Sequence, residues 1–154
     1  VDGQVAGSFV GAQGEEAVRA FVEGLLPTEE VSEMERLVAA GDEESLIAAL
    51  AIENDNVEAV TALALLLVER SGEGDREAAL KLLERIPESA ETRRVAAMAR
   101  VEPVEDVETT LGELLLAVKD DDEARQRFVD LLEVLGPDDQ RVAGWRRRLT
   151  STLF

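Results

Sequence analysis

Two Gly-Asp pairs, Gly41-Asp42 and Gly74-Asp75, stand 33 residues apart, and each precedes a run rich in alanine and leucine. At the same offset Ser45 falls on Ala78, Ile47 on Leu80 and Leu50 on Leu83. From Gly41 to Pro87 the chain reads as helix, turn, helix, turn, helix, with apolar residues at three- and four-residue steps and glycine at the breaks. A repeat of that length holds one helix hairpin. A lone hairpin cannot bury its apolar face, so neighbouring hairpins must stack and share a core.

The remaining helices follow from the same periodicity. After Thr28, an N-cap residue followed by acids, Met34, Leu37 and Val38 form a face that ends at Gly41. Asp42 caps a helix whose apolar positions are Leu46, Ile47, Leu50 and Ala51, and residues 53–56 (ENDN) turn the chain. Helix 57–70 is apolar almost all round, which predicts the central position. Helix 76–86 turns Ala78, Ala79, Leu82, Leu83 and Ile86 inward and sets Glu77 and Lys81 as an i,i+4 pair on its outer face. Helices are also expected over 89–101, 106–119 with Gly112 as its weak point, 120–135 beginning in the DDDE run at 120–123, and from Asp138 or Asp139 to the end. Gly136-Pro137 separates the last two.

Residues 1–27 differ in character. Asp2-Gly3 is a hairpin-turn dipeptide, residues 4–10 suit a short strand, and a helix begins near Glu15 and stops at Pro27. A turn, one strand and one helix cannot close a core, so this segment is expected to end a larger domain that begins upstream. Without its sheet, the stretch from Val1 to Val10 is expected to be poorly ordered or to pair with the edge strand of a second copy, giving a dimer.

Composition narrows the chemistry. The 154 residues carry 16 basic and 34 acidic side chains, a formal charge of −18, and neither cysteine nor histidine. Such a charge repels nucleic acid and anionic lipid and draws basic partners at low salt. It is unevenly spread. Residues 138–154 hold four arginines and two aspartates, net +2, against −20 for the residues before them. The absence of cysteine and histidine removes thiol chemistry, Cys-based metal sites and the commonest general base. The most apolar run, Ala62 to Val68, falls far short of the roughly 20 residues a membrane span needs. No basic-then-apolar leader opens the chain, so a cytoplasmic protein is the expectation.

Acidic clusters carry little information in a chain so acidic. Asp120, Asp121, Asp122 and Glu123 lack the alternating ligands, central glycine and distal glutamate of a calcium loop and read as a charged helix start. The 53–58 stretch reads as an Asx-rich turn by the same test. No cofactor, metal or active site is expected in these residues. The candidate partner-binding residues are Trp145, Arg146, Arg147, Arg148, Leu149 and Leu153, because tryptophan beside arginine is favoured at protein interfaces. In the competing reading, Trp145 packs in the core on Leu149, and Arg146 and Arg148 lie over apolar surface and pair with acids.

Three resemblances bear on the whole. The 33-residue hairpin period resembles tetratricopeptide repeats, with Leu63, Ala64 and Leu67 in the large-small-large positions of a first helix and Ala79 in the small position of a second. Asp2-Gly3, the strand ending in Val10-Gly11 and the helix after it resemble the closing segment of a thioredoxin domain. Residues 125–154, from Leu135-Gly136 and Pro137-Asp138-Asp139 to Arg146–Leu149 and Leu153, resemble the C-terminal helical pair of the YbbN/CnoX-type thioredoxin–tetratricopeptide co-chaperones, the chaperedoxins. Trp145 departs from that pattern, standing where a smaller aromatic is expected.

The expected fold is mainly α: a TPR-like helical-hairpin solenoid over 28–154 behind a strand–helix remnant of a thioredoxin-like domain over 1–27. The resemblance implies a holdase that binds client proteins along the repeats from Met34 to Met98 and docks on a chaperonin or related chaperone through the helix from Asp139 to Phe154. Neither nucleic acid nor membrane is an expected partner. Two other readings stay open: a helical appendage of a thiol-disulfide oxidoreductase, which a Cys-X-X-Cys upstream would favour, and an adaptor for a single basic partner, whose binding salt would weaken.

Overall fold

The computed structural model describes residues 29–154, with side chains from residue 33 onward. The expectations for residues 1–27, and the Thr28 cap, therefore lie outside the described residues. Among the described residues there are eight helices: α1 (Glu29–Ala40), α2 (Glu43–Ile52), α3 (Val57–Arg70), α4 (Asp75–Leu83), α5 (Ala90–Arg100), α6 (Val107–Ala117), α7 (Asp122–Leu135) and α8 (Gln140–Leu153).

Most helix starts are fixed by a side chain placed to accept from an orphan backbone N–H. Asp42 accepts from Ser45 N, Asn56 from Ala59 N, Asp106 from Glu108 N and Thr109 N, and Asp139 from Arg141 N. Ser89 and Thr92 cap α5 reciprocally. Asp121 accepts from Glu123 N and Ala124 N, so the 120–123 acidic run does start a helix.

The repeated Gly-Asp pairs share a backbone and divide in role. Gly41 and Gly74 both take left-handed φ values, +70° and +80°. Asp42 then caps α2, whereas Asp75 is the first residue of α4 and its carboxylate is buried. Arg70 at the end of α3 donates from Nε and Nη2 to both oxygens of Asp75, each at 2.7 Å, and from Nη1 to Glu43 at 2.7 Å. One guanidinium thus ties together the starts of α2 and α4 and the end of α3. Gly72 N also donates to Asp75, at 2.8 Å, and a Cβ on Gly72 would come within 2.7 Å of that carboxylate. Hydrogen bonding to Arg70 holds the Asp75 carboxyl below the usual range.

The helices stack as hairpins, as the period requires. α3 packs on α1, α2, α4 and α5 and holds the predicted central position. Leu63, Ala64, Leu67 and Ala79 are all buried in a first core cluster that runs from α2 to α5, with Met34, Leu37 and Val38 of α1 packed against it. A second cluster begins at Val101 and takes in Leu111, Val118, Phe128, Leu131, Leu132, Val142 and Trp145. The two are joined where α5 packs on α7.

Three expectations need correction. Ile47 and Ala51 face outward, Ile47 at 53% exposure, while Ala49 takes the inward position between Leu46 and Leu50. The body of α4 ends at Leu83, and the chain reaches the buried Ile86 through a turn rather than a further helical turn. Glu77 and Lys81 are not among the ion pairs formed by the described residues. A larger departure is the third hairpin, because α5 and α6 do not pack on one another at all. The link between them, residues 101–106, contains Pro103, and α6 turns away to pack on α7 and α8.

Candidate interaction surface

The six candidate residues lie on α8 or, for Leu153, at its last position, and the structure divides them by face. Trp145 is 8% exposed. Its ring meets Phe128 of α7 edge to face, with centroids 6.1 Å apart and planes at 75°, a favoured aromatic geometry. On its other side the indole reaches α6, where a Cβ on Gly112 would lie 4.0 Å from the ring. Gly112, the weak point of its helix, thus stands where the larger aromatic sits. Leu149 and Leu153 are half-buried against the same cluster.

The arginines differ among themselves. Arg148 lays its guanidinium over the Trp145 ring, 4.6 Å from the centroid, a cation–π contact that also shields the indole from water. Arg146 reaches Glu133 of α7 at 3.4 Å, an exposed pair of little energetic weight. Arg147 is exposed and has no ion-pair partner among the described residues. Near the start of α8, hydrogen bonding to Arg141 holds the Asp139 carboxyl down at about 2. A partner approaching α8 from outside therefore meets Arg146, Arg147 and the outer edge of Arg148. Trp145 is committed to the core.

The two ends of the repeat surface from Met34 to Met98 differ. Met34 packs against the first core and accepts a hydrogen bond from Asn56 Nδ2 at 3.3 Å, whereas Met98 opens onto a cleft of about 390 Å³ at the splayed third hairpin. Val101, Pro103, Val104, Val107 and Val134 complete its apolar wall, and Glu69, Glu102 and Arg76 stand at its edge. Arg76 Nη1 donates to Val101 O at 3.2 Å and fixes one side of the opening. Sequence reasoning missed this cleft. The one available signal was Pro103 in a link of six residues, longer than a tight hairpin turn needs.

The chain belongs to the tetratricopeptide repeat family, whose model matches residues 36–154. No curated protein and no solved structure matches the chain. Tetratricopeptide repeats are protein–protein interaction scaffolds, and the hairpin stack described above is built as one. Among the described residues, no helix is long and apolar enough to cross a membrane, and no group of three or more acidic side chains is placed to hold a metal ion.

Proposed function

We propose that the chain is the binding module of a thioredoxin-like co-chaperone: it holds exposed apolar segments of unfolded client proteins and presents them to a chaperonin or related chaperone in the cytoplasm. The role is one of binding, without catalysis. The observation that carries it is the apolar cleft beside Met98, open to solvent in a strongly acidic chain. A cleft walled by valine and methionine takes aliphatic side chains with little demand on their order, as a binder of many clients requires. The resemblance of residues 125–154 to chaperedoxins supports the second half of the reading, with the docking contacts on the outer face of α8 around Arg147.

The test is aggregation of a heat-unfolded model client followed by light scattering, with the full chain at equimolar ratio. The chain is expected to suppress scattering, Val104→Asp in the cleft is expected to abolish that protection, and Arg147→Glu is expected to leave it intact while weakening capture by the purified chaperonin. Unaltered protection by Val104→Asp, or no protection by the parent chain, would remove the client reading. Equal chaperonin capture by Arg147→Glu would remove the docking assignment.

A further inference from the structure

The first two hairpins set a packing rule. The second helix of each rests on the first helix of its own hairpin and on that of the next: α2 on α1 and α3, α4 on α3 and α5. Continued, the rule would lay α6 on both α5 and α7, beside α4. α6 packs instead on α7 and α8 and leaves α5 alone.

Between α4, α5 and α7 lies a groove of about 620 Å³ that α6 does not cover. On α7 it is lined by the 126, 129, 130 and 133 stripe, nearly opposite the Phe128, Leu131 and Leu132 face that meets the second core. On α5 it runs from Thr92 to Arg100, which at 1.5 Å per residue is about 12 Å, or two helical turns. Leu83, Ala96 and Val129 form its apolar part beside the buried Thr92 and Asp130, and its charged lining carries Glu84, Glu88 and Glu133 with Arg93 and Arg100. It is separate from the cleft at Met98, since Met98 and Val101 leave α5 on its other side.

We propose that this groove receives an amphipathic helix from a partner protein, about two turns long at the contact, with aliphatic residues on one face and lysine or arginine beside them. The shape follows from the groove, a channel bordered by three helices that runs about two helical turns along α5. The charge follows from the glutamates of that lining. Glu84 has no ion-pair partner among the described residues, and Glu88 and Glu133 each hold one solvent-exposed bond, to Arg93 at 3.1 Å and to Arg146 at 3.4 Å, that an incoming cation can replace. Arg100, which also lines the groove, is already paired with Asp130. A net charge of −18 on the chain steers a basic helix toward it and an acidic one away.

The proposal rests on the scaffold reading of the family and not on the client reading. Its probe is a fluorescent 14-residue peptide with leucine at i, i+3, i+4 and i+7 and lysine on the flanks, followed by anisotropy against the full chain. The controls are the same peptide with glutamate flanks and a scrambled peptide that breaks the apolar stripe. The lysine peptide is expected to bind at least tenfold more tightly than either control. Val129→Arg, at a position already 37% exposed, should weaken it at least tenfold with unchanged circular dichroism. Glu84→Lys should weaken it several-fold at low salt and much less at high salt. Equal binding of the scrambled peptide, or full binding by Val129→Arg, would overturn the proposal.

Two other occupants would also overturn it. One is α6 itself, revealed if the Val129→Cys, Leu116→Cys double variant of this cysteine-free chain closes a disulfide without peptide. The other is a second copy, revealed if the parent chain sediments as a dimer and Val129→Arg does not. Aggregation suppression measured on Val129→Arg separates the two sites. Its retention beside lost peptide binding is expected, and its loss would show that groove and cleft are not distinct.

Discussion

Arg100→Ala tests how the two halves of the stack are joined. Arg100, on α5, donates from Nε at 2.8 Å and from Nη2 at 2.6 Å to the two oxygens of Asp130 on α7. Asp130 is 2% exposed, and its one further donor is Gln126 Nε2 at 3.1 Å. Removing the guanidinium strands a buried carboxylate with a single neutral donor. Breaking a fully buried pair costs about 3–5 kcal/mol. The Arg100 side chain is 39% exposed, so water already screens part of the pair, and Gln126 remains. A loss of about 2–3 kcal/mol is therefore expected. With a urea slope near 2 kcal/mol per molar, the midpoint should fall by about 1–1.5 M. The cost belongs to the stranded charge, so the double variant Arg100→Met, Asp130→Leu should recover to within about 1 kcal/mol of the parent. Urea titrations should be read by far-ultraviolet circular dichroism and by fluorescence of Trp145, the one tryptophan of the chain and a member of the second cluster. In Arg100→Ala the fluorescence transition should come first, as the second cluster loses its anchor. A midpoint within 0.3 M of the parent (about 0.6 kcal/mol at that slope), or a double variant no better than the single, would refute the reasoning.

Gly136 adopts φ +82° and ψ 166°, a region open to glycine alone, so Gly136→Ala should cost about 1–3 kcal/mol. Gly144→Ala lies within α8 with nothing near its Cβ position and should instead raise stability by up to about 1 kcal/mol, and urea melts compare the two. The Asp139 carboxyl, held at about 2 by Arg141 against about 3.9 in an unfolded chain, contributes stability that is complete above about pH 5 and lost progressively as pH falls through 2. Thermal melts across that window should show a shallower decline for Asp139→Asn, and identical slopes would contradict the assignment. Deleting residues 139–154, which removes α8, is expected to unfold the rest of the second cluster, because Val142 and Trp145 belong to it; hydrogen exchange in α6 and α7 is the measurement, and retained protection there would show that α8 is dispensable.

The sequence showed most clearly what depends on neighbours along the chain. The repeated Gly-Asp turns, the side-chain caps and the small residues Ala64 and Ala79 each leave a local mark, and α3 could be placed at the centre because it has no polar face to expose. α2 shows where this stops. Its sequence, EESLIAALAI, is apolar on several sides, so periodicity could not choose between Ile47 and Ala49, and packing on α1 and α3 made the choice. The splayed third hairpin was hidden for a related reason. α5 and α6 are each sound helices, and nothing within either states which neighbour it will meet. On α8 the aromatic–arginine cluster was legible as a composition. The sequence offered Trp145 both as a core residue and as an interface residue, and the choice between them depends on Phe128 and Gly112 coming from two other helices.

The position of the arginines has a further consequence. A body of −20 that ends in a segment of +2 is an electric dipole with its positive pole on the terminal helix. In the field of a charged surface such an object turns before it touches, over distances of about one Debye length, near 8 Å at physiological salt. Facing an acidic surface it presents α8 first, and facing a basic one it presents the repeats. Orientation during encounter is thus set by where four arginines lie, ahead of any contact they go on to make.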